Sequence, residues 1–219
     1  MLNPSKIKLP DLDRPIHWID FEGCKRDAEP ALVTERVNRS METIVHDPRL
    51  AMAARYNKLR VQGFGEYARH LIERVRDSNG LIGAYSQHEF KEICRVLPDE
   101  REWLEQNYIN ANANSWFKRV DPELFIDLKK NLRTDDSVGL KDYLQHPKIG
   151  YRYPEKLLGM GPAKKLTSIR ESLAKHGKLT GAAIEHWNGL IEYNRHDVKG
   201  MQHLFRYMIN RDPQRRKAA

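Results

Sequence analysis

Along the chain, apolar residues first gather in IHWIDFEG, residues 16–23. Read as a strand, this stretch alternates its side chains: Ile19 and Phe21 take one face, while Trp18, Asp20 and Glu22 take the other. A first strand is therefore expected over about 16–22, after an irregular leader, residues 1–15, with three prolines and alternating charge. The next stretch, ALVTERVNRSMETIVHDPRLAMAARYN, keeps no single period; Val33, Val37, Ile44 and Val45 suit strands and LAMAARY suits a helix. A helical period is plain over 64–78, where Phe64, Tyr67, Ala68, Leu71, Ile72 and Val75 recur on one face until Asn79-Gly80 stops it. GLIGAYS then reads as a short buried strand and HEFKEICRVL as a helix. Glu89 thus stands at a strand-to-helix junction, where α/β folds project side chains into a common crevice.

Residues 98–118 read as a further helix that gives way to a polar stretch, NYINANANSWFKR, expected as a loop. ELFIDLKKNL fits either a strand or a short helix, GLKDYL the start of a helix, and Gly150 to Gly161 a loop. TGAAIEHWNGLIEYNRHDVKGMQHLFRYMINR is one long helix or two abutting ones, with Ile184, Trp187, Ile191, Val198, Met201, Phe205 and Met208 as its apolar stripe. Tyr193 and Asp197 lie off that stripe, one turn apart on a shared face. The tail, 211–219, is polar and basic and is expected to fray.

Strands alternating with helices predict a single α/β domain over 16–210, and no long Pro/Gly/Ser-rich linker divides it. At 219 residues and 40% hydrophobic, the chain can bury a sizeable core. Lys and Arg number 38 against 30 Asp and Glu, a formal charge of +8. The pI near 9.4 favours an anionic partner such as DNA or RNA. Cys24 and Cys94 form no CxxC pair and no zinc-spaced cluster, which argues against a disulfide framework or a zinc site. With no signal-peptide core and no apolar run of spanning length, the expectation is a cytoplasmic protein without a membrane partner.

Two carboxylates side by side in an apolar strand repel each other and lose hydration, so a cation is expected beside Asp20 and Glu22. Asp20-x-Glu22 on the first strand, Glu89 after a later strand, and Tyr193-x-x-x-Asp197 on the last helix form an ordered set. This set resembles the DEDD exonucleases of the ribonuclease H-like superfamily in their tyrosine subgroup, and most nearly the YprB-type predicted exonucleases. In those the middle motif carries Glu after a Tyr-x-x-x spacer, as YSQHE does at 85–89; proofreading enzymes place Asp there. GLKDYL at 139–144 also resembles a Ser-Leu-Lys segment of that group.

The resemblance implies a ribonuclease H-like fold, a central mixed sheet flanked by helices, and 3′-to-5′ exonuclease activity. It implies two divalent ions, with Asp20 bridging them, Glu22 and Asp197 completing the first and Glu89 supporting the second. Phosphodiester hydrolysis needs charge stabilised on the pentavalent centre and the departing oxygen, which two hard cations about 3.5–4 Å apart can do. Oxygen ligands suit magnesium or manganese. Tyr193 is expected to orient the attacking water, because a phenol of pKa about 10 is an inefficient base at neutral pH. For substrate contact, Lys25, Arg26, His88 and Arg195 adjoin the motifs, and Tyr85 or Trp116 could stack a base.

Plainer readings stand beside these. The D-x-E acids could be capped by Arg or Lys, and Glu89 could be a first-turn helix acid favoured by the macrodipole. Glu89-Phe90-Lys91 also matches the E-x-K of PD-(D/E)xK nucleases, which gives Tyr193 and Asp197 no task. A nucleic-acid-binding module with the same fold and no turnover is a third class. Four acids clustered against phosphates count against it.

Overall fold

The alternation over residues 16–22 is realised in a computed structural model as strand β1 (Ile16–Glu22). The structure describes residues 14–24, 27–112, 114–130 and 138–212. The stretch without a clear period resolves into a hairpin, β2 (Leu32–Val37) and β3 (Ser40–Val45), turned at Asn38 with φ 54°. Asn tolerates this left-handed conformation, which makes it a natural hairpin turn residue. Strands β4 (Arg60–Val61), β5 (Leu81–Ala84) and β6 (Tyr108–Asn110) complete the sheet, in the order β4-β3-β2-β1-β5-β6. β1 runs antiparallel to β2 and parallel to β5, so the sheet is mixed and β1 lies inside it.

The helices among the described residues are α1 (Ala51–Tyr56), α2 (Phe64–Asp77), α3 (His88–Val96), α4 (Arg101–Asn107), α5 (Asn114–Val120), α6 (Pro122–Lys130), α7 (Leu140–Gln145), α8 (Pro162–His176) and α9 (Ala182–Arg211). Side-chain alternation sends Ile19 and Phe21 of β1, with Val33 and Ile44, into a core shared with α2 and α3. Trp18 faces the opposite way and joins α5, α6, α7 and the C-terminal half of α9. Leu32 and Val45 pack on the same side against α1, α8 and the N-terminal half of α9. Both sheet faces are thus covered, and the fold is α/β with a mixed six-stranded sheet flanked by helices. No helix among the described residues is long and apolar enough to cross a membrane.

Helix α9 is one continuous helix of 30 residues that lies across β1 and β2. A Cβ at Gly200 would come 2.2 Å from Leu144 Cδ1, so only glycine lets α7 press onto α9 here. That close crossing carries Lys141 of α7 to Tyr193 and Asp197.

Several expectations need correction. The polar stretch 107–119, expected as a loop, holds edge strand β6 and helix α5. Tyr108 and Ile109 are buried from opposite sheet faces, and Trp116 and Phe117 stack in the core. Residues 123–130, left between strand and helix, belong to α6, capped by Asp121 Oδ1, which accepts the Leu124 N–H at 3.2 Å. Residues 131 and 132 of that stretch, and the leader up to residue 13, lie outside the described residues. The end of the leader is anchored, since Arg14 donates to the carbonyls of Asn79 and Gly80 at 2.7 Å. The tail is described only to Asp212, which is held rather than frayed: it accepts from Trp116 Nε1 at 3.0 Å and from Arg119 at 2.8 Å.

Candidate metal centre

β1 lies inside the sheet, and its even-numbered face puts Asp20 and Glu22 on the side crossed by α9. On α9, Tyr193, Asn194 and Asp197 share the side that meets β1. The result is a cluster: carboxylate oxygens of Asp20, Glu22 and Asp197 all lie within 4.8 Å of one another. Asp197 is buried, and Asp20 and Glu22 are half-buried.

Desolvation and mutual repulsion leave these acids reluctant to ionise together. Burial, followed by the charges of Glu22, Asp197 and Glu89, drives Asp20 well above the usual aspartate range. Burial and then Asp197 push Glu22 up to about 8. Asp197 is also raised by burial, against the pull of Lys141 and Tyr153. Tyr153 donates to Asp197 Oδ1 at 2.7 Å, and Lys141 Nζ sits 3.2 Å from Oδ2. Lys141 also donates to the Tyr193 hydroxyl and lies 3.8 Å from its ring centroid. Asn194, fully buried, donates from Nδ2 to both the carbonyl and Oδ2 of Asp20, at 3.1 and 2.5 Å, and so fixes the aspartate's direction.

Glu89 is brought to the same end of β1 but stays outside the three-acid cluster. Its carboxylate accepts Ser86 Oγ–H at 3.1 Å, and the backbone amides of Glu89 itself and of Phe21, the residue between the two β1 acids, favour its charged form. β5 pairs with β1 only as far as Trp18, which leaves the Phe21 N–H free for Glu89. Burial raises the Glu89 pKa, and its charge in turn raises Asp20 and Glu22. The donor set is three close carboxylates with a fourth behind them, with no thiol or imidazole among them. It fits a hard divalent cation such as magnesium or manganese and is a poor match for zinc.

The expected substrate contacts fare less evenly. His88 is exposed on the rim of a cleft of about 320 Å³ lined by Phe21, Glu22, Gly23, Glu29 and Glu92. Arg195 is turned away from the acids, because it lies about 100° around the helix from Asn194; its Nε donates to Thr43 Oγ1 at 3.1 Å, two strands from Asp20. Tyr85 packs on the core with its hydroxyl spent on the Val138 carbonyl at 3.0 Å. Trp116 is 1% exposed and has no free face for a base. Lys25 and Arg26 lie outside the described residues. Glu89-x-Lys91 does not form a second carboxylate-lysine site: both sit on α3, where a two-residue step turns Lys91 to solvent while Glu89 is buried.

Four site residues escape the motif reading: Lys141, Tyr153, Lys165 and Asn194. Asn194 stands inside YNRHD, and its place beside Tyr193 on a buried helix face was the available signal. Lys141 stands inside GLKDYL. Tyr153 and Lys165 reach the site from a loop and from α8, and nothing in their local sequence marks them. No protein-family model matches this chain, and no curated protein is similar to it.

Proposed function

We propose that the protein is a metal-dependent phosphodiesterase of nucleic acid, a 3′-to-5′ exonuclease with a ribonuclease H-like fold. One observation carries this reading: acids from opposite ends of the sequence converge within 4.8 Å, with the Tyr193 phenol one helical turn from Asp197. The mixed sheet with the D-x-E strand inside it supports the fold, and the net charge of +8 supports an anionic substrate. Asp20, Glu22 and Asp197 would hold one ion, and Asp20 with Glu89 a second. Magnesium or manganese, when bound, supplies the charge that acidifies a water and stabilises the departing oxygen.

The chain's own residues do the positioning. Asn194 locks Asp20, and Glu89 is held by the Ser86 hydroxyl. Burial, then the Asp197 charge, drives the Tyr193 pKa far upward, so the phenol stays protonated at neutral pH. Because Lys141 donates to its oxygen, the phenol keeps its own proton to donate, and it orients the attacking water rather than deprotonating it.

A binding module without turnover has one observation in its favour: Tyr153 and Lys141 already occupy both oxygens of Asp197. The two readings part on a 5′-labelled oligonucleotide. Added magnesium or manganese should start shortening from the 3′ end, and excess chelator should stop it. Undiminished hydrolysis in chelator overturns the metal-dependent reading, and binding without hydrolysis in either metal favours the module.

A further inference from the structure

Lys165 sits in the first turns of α8, between the backbone of Gly161 and the apolar anchors Leu166 and Ile169. This turn lies beside the end of β1, because the Cys24 thiol approaches the Ala163 carbonyl at 3.7 Å. The lysine is only 6% exposed, an uncommon state for an ammonium-bearing side chain. Its Nζ reaches within 5.6 Å of the Tyr193 ring centroid, and its electrostatic neighbours are Glu22, Lys141 and Glu192. Glu192 is already paired with Lys156 at 2.8 Å. Its Nζ also lies against Gly189 of α9, where a Cβ would touch it at 3.4 Å.

The two lysines at the site differ in one respect. Lys141 spends its ammonium on Asp197 and Tyr193. Lys165 has no hydrogen-bond acceptor and no ion-pair partner within 4 Å among the described residues, although its stem is buried and its charge faces the acidic cluster. With its stem buried and its tip still reachable, such an ammonium is placed to take an anion that arrives with the ligand.

We propose that Lys165 is a substrate-binding residue whose ammonium takes a non-bridging phosphate oxygen of the nucleic-acid strand held at the acidic cluster. This rests on the nuclease reading above, and it names a phosphate contact from α8 that the acidic motifs do not include.

The test uses the full chain, a fluorescein-labelled oligothymidylate and its oligouridylate counterpart. Affinity is measured in calcium across a salt series, and turnover in magnesium. Lys165→Met keeps the apolar stem and removes the charge. It should weaken Kd and raise KM about 10- to 100-fold, with kcat changed far less. It should also flatten the slope of log Kd against log salt by about 0.7, the loss of one phosphate contact. Lys165→Arg should restore most of both. If the variant melts lower while Kd, KM and the salt slope stay at wild-type values, Lys165 is only a counter-ion for Glu22 and the proposal is overturned. Lys165→Gln replaces Lys165→Met if the latter does not fold. If the wild type binds oligonucleotide but never cleaves it, the nuclease reading fails while the affinity series still decides the role of Lys165. A wild type that binds neither oligonucleotide at low salt removes the proposal too.

Discussion

Tyr193 is the side chain whose chemistry can be separated most cleanly from its packing. Its ring lies against the core and two lysines, while its hydroxyl meets Lys141. Tyr193→Phe should therefore leave thermal unfolding nearly unchanged and slow turnover about 10²- to 10³-fold, the loss expected for one positioned hydrogen-bonding group. Retained turnover with lowered stability would assign the residue to structure alone. His46 makes a prediction of a different kind, about stability rather than turnover. Its Nδ1–H meets the Gln62 carbonyl at 2.9 Å, its other nitrogen is buried without a partner, and burial lowers its pKa to about 4. A histidine held neutral in the folded state binds fewer protons than in the unfolded chain. Stability should thus be intact above about pH 6.5 and fall as pH drops toward 4, by up to about 3 kcal/mol from this group. Denaturant melts across that window check it, and a flat profile contradicts the neutral buried state.

The site depends on how elements cross, and α7 against α9 is the tightest crossing. Gly200→Ala gains helix propensity, but its new Cβ meets Cδ1, Cδ2 and Cγ of fully buried Leu144 at 2.2, 3.2 and 3.2 Å. Overpacking should win, with a net loss of about 1–2 kcal/mol, and activity should fall as Lys141 is pushed off Tyr193. Adding Leu144→Ala should recover part of the lost activity, and additive effects in that double mutant would contradict the coupling. Elements of this kind differed in how far the sequence revealed them. β1, α2 and α9 carry unbroken periods of 2 or 3.6, so their faces, and the acids on them, were readable. β6 and α5 were hidden by an asparagine-rich composition that resembles a loop, although tertiary packing of Trp116 and Phe117 overrides it. α8 carries only the terminal signals, Pro162 at its first position and Gly177 at φ 65° after its end. Lys165, in PAKKL, stands in no motif. Tyr153 lies in an irregular segment, and only the folded path of 150–161 shows that its hydroxyl reaches Asp197.

On the scale of the whole molecule, charge is divided against itself. The chain carries +8 overall, yet four acids crowd the end of β1 and resist ionising together. A positive exterior draws in a polyanion, and an acidic centre repels it unless cations intervene. The α/β frame makes this arrangement possible by burying β1 inside the sheet and laying α9 across it. Asp20, held by Asn194 and facing both Glu22 and Asp197, is the position where the account is most exposed. The decisive measurement compares wild type and Asp20→Asn on one 3′-recessed and one single-stranded substrate in magnesium. Turnover and chelator-state affinity are recorded together. Turnover should fall by several orders of magnitude in Asp20→Asn, while affinity without metal stays level or rises as phosphate repulsion is relieved. Equal hydrolysis by both proteins would contradict the metal-dependent reading.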